Sequence, residues 1–237
     1  MTQKQSRTMG GILFIVVPVL INIPYGLLIA NFHYPDILRQ SPADILLRFH
    51  EGGTGLILTW WSFGFVGLPL IYSVVVLHQL LQREDTPYLM TGTIVGVISL
   101  VAQFIGLLRW TFVVPFLAGT FADPASSQAA KEAAIVTFQA VHQYGGVLVG
   151  EHVGQLFAII WMLLTGAAML KSTVFKSWLG WTGILGGLVY LLAQLELFAT
   201  VVPNTPVVGA AGLIGSLLWL LWMILIGVGI LRMRATT

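Results

Sequence analysis

The chain is predicted to be an all-α, polytopic membrane protein: one domain over residues 1–237, folded as a bundle of six transmembrane helices with a short outer helical cap. Two observations on composition point there. Hydrophobic residues make up 57% of the sequence and charged residues 8%, whereas a soluble domain carries roughly 25% charged residues. Mean hydropathy is +0.90. The third observation is length. Apolar runs, divided at a few charged clusters, are each long enough for a hydrocarbon core of ~30 Å at about 1.5 Å per helical residue. A closed barrel is the other way across lipid, but it needs alternation with period two, and these runs have none.

The first span, 9–31, follows the basic segment MTQKQSR. It reads as a retained helix rather than a signal peptide. Its apolar run is about 22 residues against about 7–15 for an h-region, and no small-x-small cleavage site follows. Pro18 and Pro24 within it, and Pro69 later, are expected to kink or loosen their helices. Between the first and second spans, SPAD places Ser41 as an N-cap, Pro42 at the first helical position and Asp44 in the first turn. That predicts a short helix from Pro42 to His50 at the outer surface. The second span is 53–78 and the third 89–112. A second outer connection is helical from about Ser127 and runs into the fourth span, 147–170. Gly145-Gly146 is its one visible break, so this long helix must project or kink there. The fifth and sixth spans are 178–202 and 207–231.

Basic residues orient the bundle. Lys4, Arg7, Arg83, Lys171, Lys176, Arg232 and Arg234 fall on one side, and Arg39, Arg48 and Lys131 on the other. Seven against three puts both termini on the cytoplasmic side of the membrane. Lys176, Trp178 and Trp181 form an inner interfacial anchor.

Some chemistry is excluded. With no cysteine there are no disulfides, thiolate metal sites, iron–sulfur clusters or cysteine nucleophiles. No phosphate-binding loop, dinucleotide fingerprint or nucleic-acid motif stands in a credible context, and the net charge of +2 implies no nucleic-acid partner. The expected surroundings are the lipid bilayer.

Glycines recur every fourth residue at Gly146, Gly150 and Gly154, at Gly92 and Gly96, and at Gly183 and Gly187. Such faces let helix backbones approach closely. The simplest use is packing inside the bundle; the other is a homodimer or larger membrane complex.

The remaining signal is a polar layer. Leu89 to Arg109 is about 30 Å of helix, Leu170 back to Glu151 about 28 Å, and Trp178 to Glu196 about 27 Å. Three helices thus bring a charge to one depth near the outer boundary. His152 joins them, with Gln103, Gln155, Gln194 and Asn22 at or below. Ionisable groups in lipid are costly and usually partnered. Glu151 and Gln155 share a helix face. His152 points about 100° away, and His142 stands half an α-turn out of phase with Glu151 unless the glycines kink the helix.

Several readings follow. Arg109 could bridge Glu151, Glu196 or both in a structural charge network. A pocket around Arg109, Glu151, His152, Glu196 and Gln155 could bind or transport a small amphiphilic or anionic ligand. His50, His142 and His152 could ligate haem or a divalent metal in a redox role. A carboxylate and a histidine could act as acid and base on a lipophilic substrate. The protein could instead be an accessory subunit whose outer helices dock a partner. TWW at Thr59–Trp61 reads as packing, and His33 and His78 as interfacial residues.

Three stretches carry a resemblance: GLLRWTFVVPFLA (Gly106–Ala118), FQAVHQYGGVLVGEHVGQLF (Phe138–Phe157) and WLGWTGILGG (Trp178–Gly187). Together they resemble an uncharacterised family of bacterial six-helix membrane proteins, catalogued as a domain of unknown function. The resemblance implies a six-helix plasma-membrane protein and brings no catalytic residue with it.

Overall fold

The computed structural model describes residues 2–233; Arg234, counted above among the inner basic residues, lies outside them. Ten α-helices follow in order: α1 (Gln3–Phe32), α2 (Pro42–Phe65), α3 (Leu70–Leu81), α4 (Tyr88–Phe112), α5 (Val114–Ala122), α6 (Gln128–Val141), α7 (Gly154–Lys171), α8 (Ser177–Leu191), α9 (Gln194–Ala199) and α10 (Ala211–Arg232). A 3-10 turn, Asp36–Arg39, precedes α2, and a π-helical segment, His142–Val153, joins α6 to α7. Taken through their short interruptions, they make six helices long and apolar enough to cross a membrane. The chain is a multi-pass helical membrane protein.

The interruptions have local causes. Ser41 caps α2 as its sequence predicts: its Oγ accepts from the Asp44 N–H at 3.2 Å, with Pro42 in the first turn. The first part of α2 then ends in a sharp bend at Gly53, whose φ of 53° and ψ of −150° suit only a residue without Cβ. Pro69, which lacks an N–H, stands where α2 has ended and α3 begins. Pro18 and Pro24 do not end α1, which continues through both. Around Gln194 the fifth helix tightens into i→i−3 bonds, Ala193 N–H to Tyr190 O and Glu196 N–H to Ala193 O, so α8 and α9 are separate pieces.

The chain forms two compact units. The first comprises 1–19, 68–101 and 152–237. There α7 and α8 meet backbone to backbone: a Cβ on Gly166 would stand 2.8 Å from the Gly180 carbonyl oxygen, and one on Gly180 2.7 Å from that of Gly166. Gly183 lies under the Trp222 ring, whose indole N–H donates to the Leu179 carbonyl at 2.8 Å. Gly92 packs on Leu164 and Gly96 on Trp161. The glycine faces at 92/96 and 183/187 therefore serve packing inside this unit.

The second unit comprises 20–67 and 102–151. Its core is aromatic: Phe32, Phe49, Trp60, Trp110 and Phe138 are buried together with Leu28, Leu46 and Leu117. Trp60 and Trp110 stack at 4.8 Å between centroids, and Phe32 meets Trp110 edge-on at 5.5 Å. Gly106 of α4 faces Gly150 of the π segment, close enough that a side chain on either would meet the other's backbone. Gly150 and Gly106 thus set how near these two backbones come.

Candidate functional site

Arg109 is the most buried charged residue of the second unit, with only 8% of its surface exposed. It sits on α4 beside Trp110, and its guanidinium carbon lies 5.2 Å from the indole centroid. The guanidinium lies over Gly146: a Cβ there would come 2.6 Å from Cζ and 3.0 Å from Nε. One terminal N–H donates to the Gly106 carbonyl. Gly146 therefore has a specific use, to leave room for the arginine head.

The π segment determines what else faces Arg109. Nine residues separate His142 from Glu151, which is about 2.5 turns of α-helix and puts them on opposite sides. A π turn closes on i+5 and holds nearly one residue more, so nine residues make roughly two turns. His142, Gly146 and Glu151 then share a face. Both Glu151 and His142 lie within electrostatic reach of Arg109. The backbone changes its winding rather than breaking at Gly145-Gly146.

Tyr34, from the loop after α1, completes the group. Burial pushes its hydroxyl well above the usual phenol range; the Glu151 charge adds to this and Arg109 opposes it. It remains a neutral O–H donor. The Tyr34 ring meets Trp60 edge-on at 5.2 Å. His142 packs against Phe138 at 5.5 Å and Trp110 at 6.0 Å. Within this cluster Arg109 Nε, Trp60 Nε1, Trp110 Nε1 and His142 Nδ1 are buried and have no hydrogen-bond partner among the described residues. An unmet buried donor costs about 1–3 kcal/mol, so several together call for an acceptor.

Three other candidate residues, His152, Gln155 and Glu196, fall in the first unit, which is described by its own contacts. His152 Nδ1 donates to Gln194 Oε1 at 2.7 Å, and Gln194 Nε2 donates to Gln155 Oε1 at 3.2 Å. Phe198 meets the imidazole edge-on at 5.4 Å. With Nδ1 as donor, a neutral His152 keeps Nε2 as an acceptor. His50 is exposed on α2. Among the described residues, no three His, Asp or Glu side chains are grouped so as to hold a metal ion. His33 Nε2 pairs with an Arg48 terminal nitrogen at 3.2 Å, and His78 Nδ1 with Thr93 Oγ1 at 2.9 Å.

Tyr34, Trp60 and Trp110 carry no motif in the sequence that marks them as site residues. One signal was present, the Arg109-Trp110 adjacency, but nothing local indicated that TWW would supply the ring stacked on Trp110.

No curated protein and no solved structure matches the chain. Residues 9–227 match a family profile over nearly the whole sequence, and by that match the chain belongs to the family described as a domain of unknown function (DUF4386).

Proposed function

We propose that the protein binds, and in doing so carries or presents, a small amphiphilic ligand at the Arg109 group of the second unit. One observation carries this reading: a buried arginine and two buried indoles hold N–H groups that no acceptor among the described residues satisfies, within a cluster of buried aromatic side chains. Glu151 lies within electrostatic reach of Arg109 and offsets its charge. The proposed setting is a bacterial plasma membrane with both termini in the cytoplasm, supported by the seven-to-three bias of Lys and Arg.

The test is thermal unfolding of the detergent-purified chain with and without a lipophilic amphiphile, for wild type and Arg109→Gln. The reading expects a rise in melting temperature in wild type only, with Arg109→Gln still folded. An Arg109→Gln chain that does not fold, beside a wild type that no amphiphile stabilises, would make the arginine a structural bridge instead. The same sample answers the histidine alternative: a Soret band or stoichiometric metal would transfer the function to His142, His50 or His152.

A further inference from the structure

We infer that the head group recognised at this site is an uncharged carbonyl-type acceptor rather than a carboxylate; this rests on the binding reading above. Of the unmet groups around Arg109, Arg109 Nε, Trp60 Nε1 and Trp110 Nε1 are obligate donors, and His142 Nδ1 takes either role by tautomer. A complementary head group therefore brings acceptors and no donors. Charge then discriminates among acceptors. Arg109 and Glu151 lie within electrostatic reach of one another, so with both ionised the site sums to zero. An incoming carboxylate would leave one uncompensated negative charge in a span of hydrocarbon, beside aromatic faces that repel anions. A ketone, ester or quinone oxygen accepts the same hydrogen bonds and leaves the sum at zero. Trp60, Trp110 and Phe138, with Tyr34 packed against them, make the surroundings of these donors apolar, which favours an apolar remainder on such a molecule. The shared chemistry is thus a neutral lipophile with exposed carbonyl oxygens, of which an ester lipid and a quinone are the two sources.

A matched pair of probes separates charge from tail. Binding of oleate and of methyl oleate to the purified full-length chain is measured by quenching of tryptophan fluorescence, at a pH where oleate is ionised. A benzoquinone with a decyl tail is the third arm. The inference expects methyl oleate or the quinone to bind at least about tenfold more tightly than oleate. The tighter of the two names the source. Trp60→Phe and Trp110→Phe keep a ring and remove one donor each; each should weaken neutral binding about three- to tenfold, followed by calorimetry, with helix content unchanged by circular dichroism. Tighter binding of oleate than of its methyl ester would overturn the inference while leaving the binding reading standing. Affinity unchanged in both folded Phe variants would overturn it too. Failure of every lipophile to bind would remove both.

Discussion

At the scale of single residues, Arg109 and Gly146 define each other. The arginine is kept in an apolar unit by a carbonyl acceptor, a neighbouring carboxylate and an indole face, and the absence of a side chain at 146 gives its head a place to lie. Alanine at 146 would put a Cβ 2.6 Å from Cζ. Relieving that displaces the guanidinium from Gly106 O and from Trp110. Gly146→Ala should therefore cost about 1–3 kcal/mol, the usual penalty for overpacking. Gly26 is the control, on α1 in the same unit, because a Cβ there meets nothing within 4 Å. Gly26→Ala should be neutral or stabilising by up to about 1 kcal/mol. Chemical unfolding of the two variants in detergent reads the difference, and equal effects would refute the packing role given to Gly146. His152 is explained at the same scale: its partner is Gln194, a neutral side chain placed by the break between α8 and α9.

At the scale of elements, capping was legible and winding was not. Ser41, Pro42 and Asp44 identify the start of α2 because a helix terminus is satisfied by its own nearest residues. The bend at Gly53 agrees with the expected division between an outer helix ending near His50 and a span opening at 53. Its cost to any other residue is direct: at φ 53° and ψ −150°, Gly53→Ala should lose about 1–3 kcal/mol, against about 1 kcal/mol for Ser41→Ala. Thermal melts of the two variants rank them, and a harmless Gly53→Ala would mean that the bend is not required. The segment from His142 to Val153 is different. Its sequence suits an α-helix, and α-phasing set His142 against Glu151. The π-winding reverses that relation, and Gly145-Gly146 is the one local sign that α-phasing could fail there. It occurs where Gly106 and Gly150 let two backbones close up and where Arg109 needs both neighbours on one side.

At the scale of the whole molecule, the strongest sequence-level expectation is topology. The chain has no cysteine, so single introduced cysteines report sidedness without background. Lys4→Cys and Lys176→Cys should react with a membrane-impermeant maleimide only after cell lysis, and Ala125→Cys in intact cells. The opposite pattern would invert the orientation assigned from Lys and Arg. The same experiment bears on the ligand, because it tells from which side the Arg109 group is approached.

The sequence alone determined that lipid is the solvent, that six helices cross it, where α2 begins, and that Arg109 and Glu151 are exceptional. Hydropathy, caps and isolated charges are properties of short stretches of chain, so they can be read along it. Only the tertiary structure decided which side chains meet. It joined Tyr34, Trp60 and Trp110 to Arg109, and it paired His152 with Gln194. Those outcomes depend on how closely helices pack and how many residues each turn holds. One added residue per turn moves a side chain from one face of a helix to the opposite face within about two turns, a change that hydropathy does not register.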